Sequence, residues 1–106
     1  MVTLCGASAY QQKFYLNPDF AKLPESVKQE LKIICVGFTE DAGGVFTIDF
    51  DDQGVPKFSV RTADYDPNFD EIAAELYIRK MQTEKAELMK QLELFYRIFI
   101  LGEEPV

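Results

Sequence analysis

Between Asp70 and Leu101 the chain runs for 32 residues without a glycine or a proline. Nothing there terminates a helix, and a single helix of that length would extend about 48 Å, longer than a domain of this size is wide. Its apolar residues form two stripes. Phe69, Ile72, Ala73 and Leu76 share one side, whereas Leu88, Leu92, Phe95 and Phe99 lie roughly 110° further round. Two stripes need two covering surfaces. The pattern predicts a helix over 68–101, with the first stripe packed on the chain's own strands. Ile78, Met81, Leu88, Leu92, Phe95 and Phe99 then form a seam for a second copy of the chain. Lys85 interrupts that seam, so Lys85→Glu is expected to disturb neither association nor folding. The competing reading folds the helix back as a hairpin near Gln82-Thr83, a break that no glycine or proline favours.

Upstream, Pro24 opens a helix over 24–42, with Glu25 in its first turn and Ser26 to Gln29 at capping-box spacing. Val27, Leu31, Ile34 and Phe38 give it one buried face, which Ile33, Cys35 and Val36 widen. Gly43-Gly44 ends it, since a positive φ is free of Cβ strain only in glycine. Period two follows. Phe46, Ile48 and Phe50 point one way from 45 to 50, and Phe58 and Val60 return after the turn Asp51-Asp52-Gln53-Gly54. This is an antiparallel hairpin over 45–61, with Pro56 marking its second strand as an edge. Asp66 before Pro67, or Asn68 with Glu71, caps the long helix. Residues 7–16 read equally as a helical stripe (Ala7, Tyr10, Phe14) or as a strand, and Asn17-Pro18-Asp19 closes them with a turn. The fold class is α+β, in one domain spanning 1–106.

Composition narrows function more by exclusion than by assignment. There is no histidine, which removes the commonest general base, the usual Ser-His and Cys-His pairs and the most frequent transition-metal ligand. A net charge of −7 argues against binding a phosphate backbone. With no apolar run near membrane-spanning length and none ahead of Cys5, no membrane span or signal peptide is expected. Leu4-Cys5-Gly6 resembles a lipoprotein cleavage site, but the four residues before Cys5 are too short for the signal sequence such a site requires, so none is expected. Cys5 and Cys35 have no CxxC spacing and are expected reduced, Cys35 in the core and Cys5 more accessible, in a cytoplasmic protein.

Two acidic patterns bear on metals. From Asp64, oxygens fall at positions 1, 3, 5 and 7 with Glu75 at 12, the spacing of a calcium loop, but Phe69 occupies the position where that turn requires glycine. The reading adopted is a solvated acidic loop with helix caps, and no metal or cofactor. Asp49-x-Asp51-x-Gln53-Gly54 is weaker, with Val60 where the bidentate glutamate belongs. Glu40 and Asp41 sit at the negative end of the first helix, where the dipole disfavours acids; they are expected in solvent.

Cys5-Gly6-Ala7 with Tyr10, Leu23-Pro24-Glu25-Ser26 through Cys35-Val36, Phe38 to Gly44, Phe95-Tyr96-Arg97 and Leu101-Gly102-Glu103 carry a resemblance. On these residues the chain is similar to a small uncharacterised family of anaerobic Gram-positive bacteria. That resemblance implies no activity and no catalytic residues. With no histidine and no recognisable catalytic constellation, the expected role is non-enzymatic, a homodimeric scaffold or protein-interaction module; the alternative is a small-ligand-binding or regulatory protein with a pocket between the hairpin and the helices.

Overall fold

A computed structural model describes residues 1–103; residues 104–106 of the expected domain lie outside the described residues. Four strands, β1 (Val2–Ser8), β2 (Lys13–Leu16), β3 (Val45–Phe50) and β4 (Pro56–Arg61), form one antiparallel sheet in the order β2-β1-β3-β4. The two central strands are therefore the first and third in the chain. Period two sorts side chains between the faces. Phe46 pairs across from Val60 and Ile48 from Phe58, while on the other side of β3 Cys5 meets Ile48 and Ala7 meets Phe46. An irregularity between Thr3 and Cys5 inserts Leu4 as an extra residue, and both Leu4 and Cys5 are buried. Pro56 opens β4 at the sheet's edge, as its missing N–H requires.

The first 22 residues thus resolve in favour of strands, β1 and β2, followed by a single 3-10 turn at Pro18–Phe20. Asn17 caps that turn through Oδ1, which accepts from Asp19 N at 3.0 Å.

Helix α1 (Glu25–Ala42) lays Leu31, Ile34, Cys35, Phe38 and Ala42 on the sheet. Its N-terminal residue is Pro24 with no side-chain cap, so the Ser26–Gln29 capping box does not form. Ile33, expected on the buried face, is exposed; at 100° per residue it lies opposite Leu31 and Cys35. Gly43 ends the helix at φ +83°, and its N–H donates to Thr39 O at 2.9 Å.

Helix α2 (Glu71–Glu84) runs back antiparallel along α1. Three bonds fix the register: Asp70 N to Ala42 O (2.9 Å), Tyr77 Oη to Ile34 O (2.6 Å) and Lys85 Nζ to Glu30 Oε1 (2.8 Å). The cap is Asp70, whose Oδ1 accepts from Ala73 N at 2.9 Å, and neither Asp66 nor Asn68. The long helix bends at Lys85 (φ −111°, ψ 19°) into α3 (Ala86–Phe95), then widens to a π-helical turn at Tyr96–Ile100. Lys85 N still donates to Met81 O and Met89 N to Lys85 O, so the rod bends without folding back. It accounts for the molecule's long axis of 47 Å.

The second stripe largely faces the chain's own core, while the first is split, Phe69 and Ala73 packing on the core and Ile72 and Leu76 facing out. Ala74, Met81, Leu88, Leu92 and Tyr96 are buried against the sheet and α1, whereas Ile72 and Leu76 are 74% and 61% exposed. With Asp70 at Ala42 and Tyr77 over Ile34, the α2 surface facing the core is set by residue 74, which rotates residues 72 and 76 outward.

Two aromatic clusters close the core. Phe38 stacks on Phe46 (4.5 Å between centroids) with Tyr77 edge-on at 5.6 Å. Around the β3–β4 turn, Tyr96 stacks on Phe50 at 4.4 Å and Phe20 on Phe50 at 5.4 Å. That turn is tied by Asp51 Oδ1, which accepts from Gln53 N and Val55 N, each at 2.9 Å. The bond from Val55 N, the larger influence, helps hold the Asp51 carboxyl below its ordinary pKa.

Candidate functional site

Where β1 leaves the sheet at Ser8, the chain reverses through Ala9–Gln12. Ser8 Oγ accepts from Gln11 N at 3.2 Å, and Ala9 N donates to Gly44 O at 2.8 Å. Gln12 takes φ +53°, a left-handed value that favours glycine. Between this turn and the C-terminal half of α1 opens a cavity of about 600 Å³. Ala7, Phe14 and Val36 supply apolar wall, and Ser8, Gln12, Lys13, Lys32, Thr39 and Glu40 supply polar groups. Thr39 Oγ1 is already committed, donating to Val36 O at 2.9 Å. Among the described residues, Lys13, Lys32 and Glu40 form no ion pair within 4.0 Å, with one another or with any other side chain.

The acidic loop fastens the same turn from its other side. Tyr10 Oη donates to Asp66 Oδ2 at 2.6 Å and accepts from Ala63 N at 2.9 Å; Asp66 Oδ1 accepts from Asn68 N at 2.9 Å. The bond to Asp66 raises the Tyr10 pKa and lowers that of Asp66, since each partner stabilises the form that makes the bond. Asp66, the third position of the calcium-like spacing, is thus engaged with Tyr10 and the Asn68 amide.

A second surface is apolar. Leu94, Phe99, Ile100 and Leu101 are exposed at the C-terminal end of the rod, and Phe99 stacks on half-buried Phe95 at 4.5 Å. Of the six residues in the expected seam, Met81, Leu88 and Leu92 lie in the chain's own core, Ile78 and Phe95 are half-buried against it, and Phe99 is 58% exposed. They follow one stripe, as the spacing indicated, but that stripe faces inward until the core runs out near Phe99.

Cys5 and Cys35 are both buried, with their sulfurs 3.7 Å apart between β1 and α1. Cys5 is therefore no more accessible than Cys35. The contact with Cys35, then burial, pushes the Cys5 thiol far above its ordinary pKa, the reverse of what a reactive thiol needs.

The cavity escaped sequence reading because Lys13 and Lys32 stand on separate elements whose pairing depends on where β2 falls. The one available signal was Glu40, an acid at an unfavourable helix end. Fold and surface together define a small two-layer α+β protein with a polar cavity at a hairpin turn and an apolar helix end. The chain belongs to a family of unknown function, DUF6145, whose model matches residues 1–104. No curated protein and no solved structure matches it. Among the described residues no helix is long and apolar enough to cross a membrane.

Proposed function

We propose that the protein is a non-enzymatic homodimeric interaction module whose contact surface is the C-terminal end of the helical rod. The observation that carries this reading is the clustering of exposed Leu94, Phe99, Ile100 and Leu101 within the last turns of one helix. Such a patch is what partners cover. A second copy is the occupant that requires no charge complement, because Arg97, the cation of this segment, is already paired with Glu93 at 2.8 Å. Two ends packed about a two-fold axis cover each other's Phe99 and Leu101, and each large side chain so covered contributes about 1.5–3 kcal/mol. The absence of histidine from the sequence supports a non-catalytic role, and its charge of −7 supports a protein partner over a nucleic acid. The unbonded thiols of Cys5 and Cys35 fit the reducing cytoplasm.

Light scattering during size exclusion at micromolar concentration tests the reading. The expected mass is twice the 12.1 kDa of one chain. Phe99→Glu should halve it with the circular dichroism unchanged, since Phe99 is mostly exposed. A wild-type monomer, or a dimer that survives Phe99→Glu, overturns the proposal. Loss of that surviving dimer in Leu76→Glu would move the interface to the outer face of α2.

A further inference from the structure

We propose that the cavity between the β1–β2 turn and α1 binds a small organic anion, a carboxylate or phosphate whose body also carries a hydrogen-bond donor. The lining matches such a ligand part by part. Lys13, from the hairpin, and Lys32, from α1, are exposed residues that line the same cavity in a chain whose overall charge is −7. Either could have been neutralised by the abundant acids, yet among the described residues neither has an ion-pair partner within 4.0 Å. An anionic group is the chemistry that two unpaired ammonium groups recognise.

Glu40 shares the cavity without pairing to either lysine. Its carboxylate sits at the helix end where the dipole opposes it, and a donor on the ligand, an amino or hydroxyl group, gives it a partner. Ala7, Phe14 and Val36 provide an apolar floor for the ligand's body, and about 600 Å³ is ample for a metabolite-sized molecule. The rim agrees. Gln12 holds a left-handed φ of +53° that glycine would adopt without strain, at a cost of about 1 kcal/mol, and it is one of the lining residues.

This cavity lies at the opposite end of α1 from Pro24, and none of its lining residues belongs to the proposed dimer surface, so either proposal can fail alone. The test is a titration of the full chain followed by amide chemical shifts. Three probes are used separately: L-leucine for the carboxylate, glycerol 3-phosphate for the phosphate, and tetramethylammonium as a cation. Saturable shifts at Ser8, Gln12, Lys13 and Val36 with one of the two anions, at a Kd on the order of 1 mM or tighter, are expected, and none with the cation. Which anion saturates distinguishes carboxylate from phosphate. The exposed pair Lys13→Gln/Lys32→Gln should retain the wild-type spectrum and weaken binding at least about tenfold, roughly the loss of one charge-assisted bond. If the double variant does not fold, Lys32→Gln alone, on the solvent side of α1, is read in its place. Absence of saturation by both anions up to about 10 mM, well beyond the expected Kd, overturns the proposal. So does binding that is unchanged in the lysine variants or matched by tetramethylammonium.

Discussion

Gly37 stands in the interior of α1, where replacement by alanine ordinarily stabilises a helix by about 1 kcal/mol. Here the sign should reverse. A Cβ on Gly37 would lie 2.7 Å from Tyr77 Oη, and that hydroxyl cannot swing away freely. It donates to Ile34 O at 2.6 Å, and its ring is held edge-on against Phe38 and Phe46. Displacing it costs about 1–3 kcal/mol of overpacking and about 1 kcal/mol for the hydrogen bond, against the roughly 1 kcal/mol gained in propensity. Gly37→Ala should therefore lose about 2 kcal/mol, a fall in Tm on the order of 10 °C for a chain this size. Removing the hydroxyl removes the conflict, because the next ring atom, Tyr77 Cζ, stands 3.5 Å from where the alanine methyl would lie, an ordinary contact. In a Tyr77→Phe background the same Gly37→Ala change should stabilise by about 1 kcal/mol. Urea denaturation of the four proteins, followed by circular dichroism, gives a coupling of about 2–3 kcal/mol with a change of sign. Equal stabilisation by Gly37→Ala in both backgrounds would refute the reasoning, and with it the account of how α2 approaches α1.

Burial holds the Tyr77 pKa up at about 12, whereas an unfolded tyrosine ionises near 10, so the folded state binds the extra proton between those values. Stability from this group is full below about pH 10 and is lost as pH rises through about 12; Tm measured against pH should show the decline in wild type and less of it in Tyr77→Phe. Cys5 and Cys35 should both resist a thiol reagent, reacting only at the native state's own pace of unfolding, and rapid labelling of either would contradict their burial. Lys85→Glu, neutral on the sequence pattern alone, should cost about 1–2 kcal/mol by urea denaturation, because it sets a carboxylate against Glu30 at a site where both side chains are more than half buried. Gly54→Ala combines φ +83° with a Cβ 2.8 Å from Tyr96 Cδ1, and a loss of about 2–4 kcal/mol should be seen in thermal melts.

Where local periodicity decides, the sequence was readable. The boundaries of α1, β3 and β4 follow from the spacing of Leu31, Ile34 and Phe38, the Gly43 terminator and the alternation of Phe46, Ile48 and Phe50. β1 was not readable for a physical reason. Val2–Ser8 is a central strand with Leu4, Cys5, Gly6 and Ala7 buried in succession, so it carries no alternation to detect. The direction of the α2 face was equally hidden, since Ile72 and Leu76 are more hydrophobic than Ala74 yet face solvent. Small Ala74 and Gly37 let the two helices approach, and a hydrophobicity pattern gives a small residue little weight. The bend at Lys85 has no glycine or proline to announce it; its counterpart is Glu30, 55 positions away. The cavity lining failed to show for the same cause, being assembled from a turn and a helix that only the pairing of β1 with β2 and β3 brings together.

The order of strands in space differs from their order of synthesis. β1 emerges first and pairs at once only with β2, while its second neighbour, β3, follows after the whole of α1. Joining Gly6 to Thr47 closes a loop of about 40 residues, at an entropic cost on the order of 3 kcal/mol that helix formation does not share. Until β3 is made, one edge of a strand with four successive buried residues stays unpaired on the nascent chain, the condition under which β edges associate with the wrong partner. The β1–β3 seam is thus where the sheet carries its largest loop-closure cost, whereas α1 and the β3–β4 hairpin are built from local contacts.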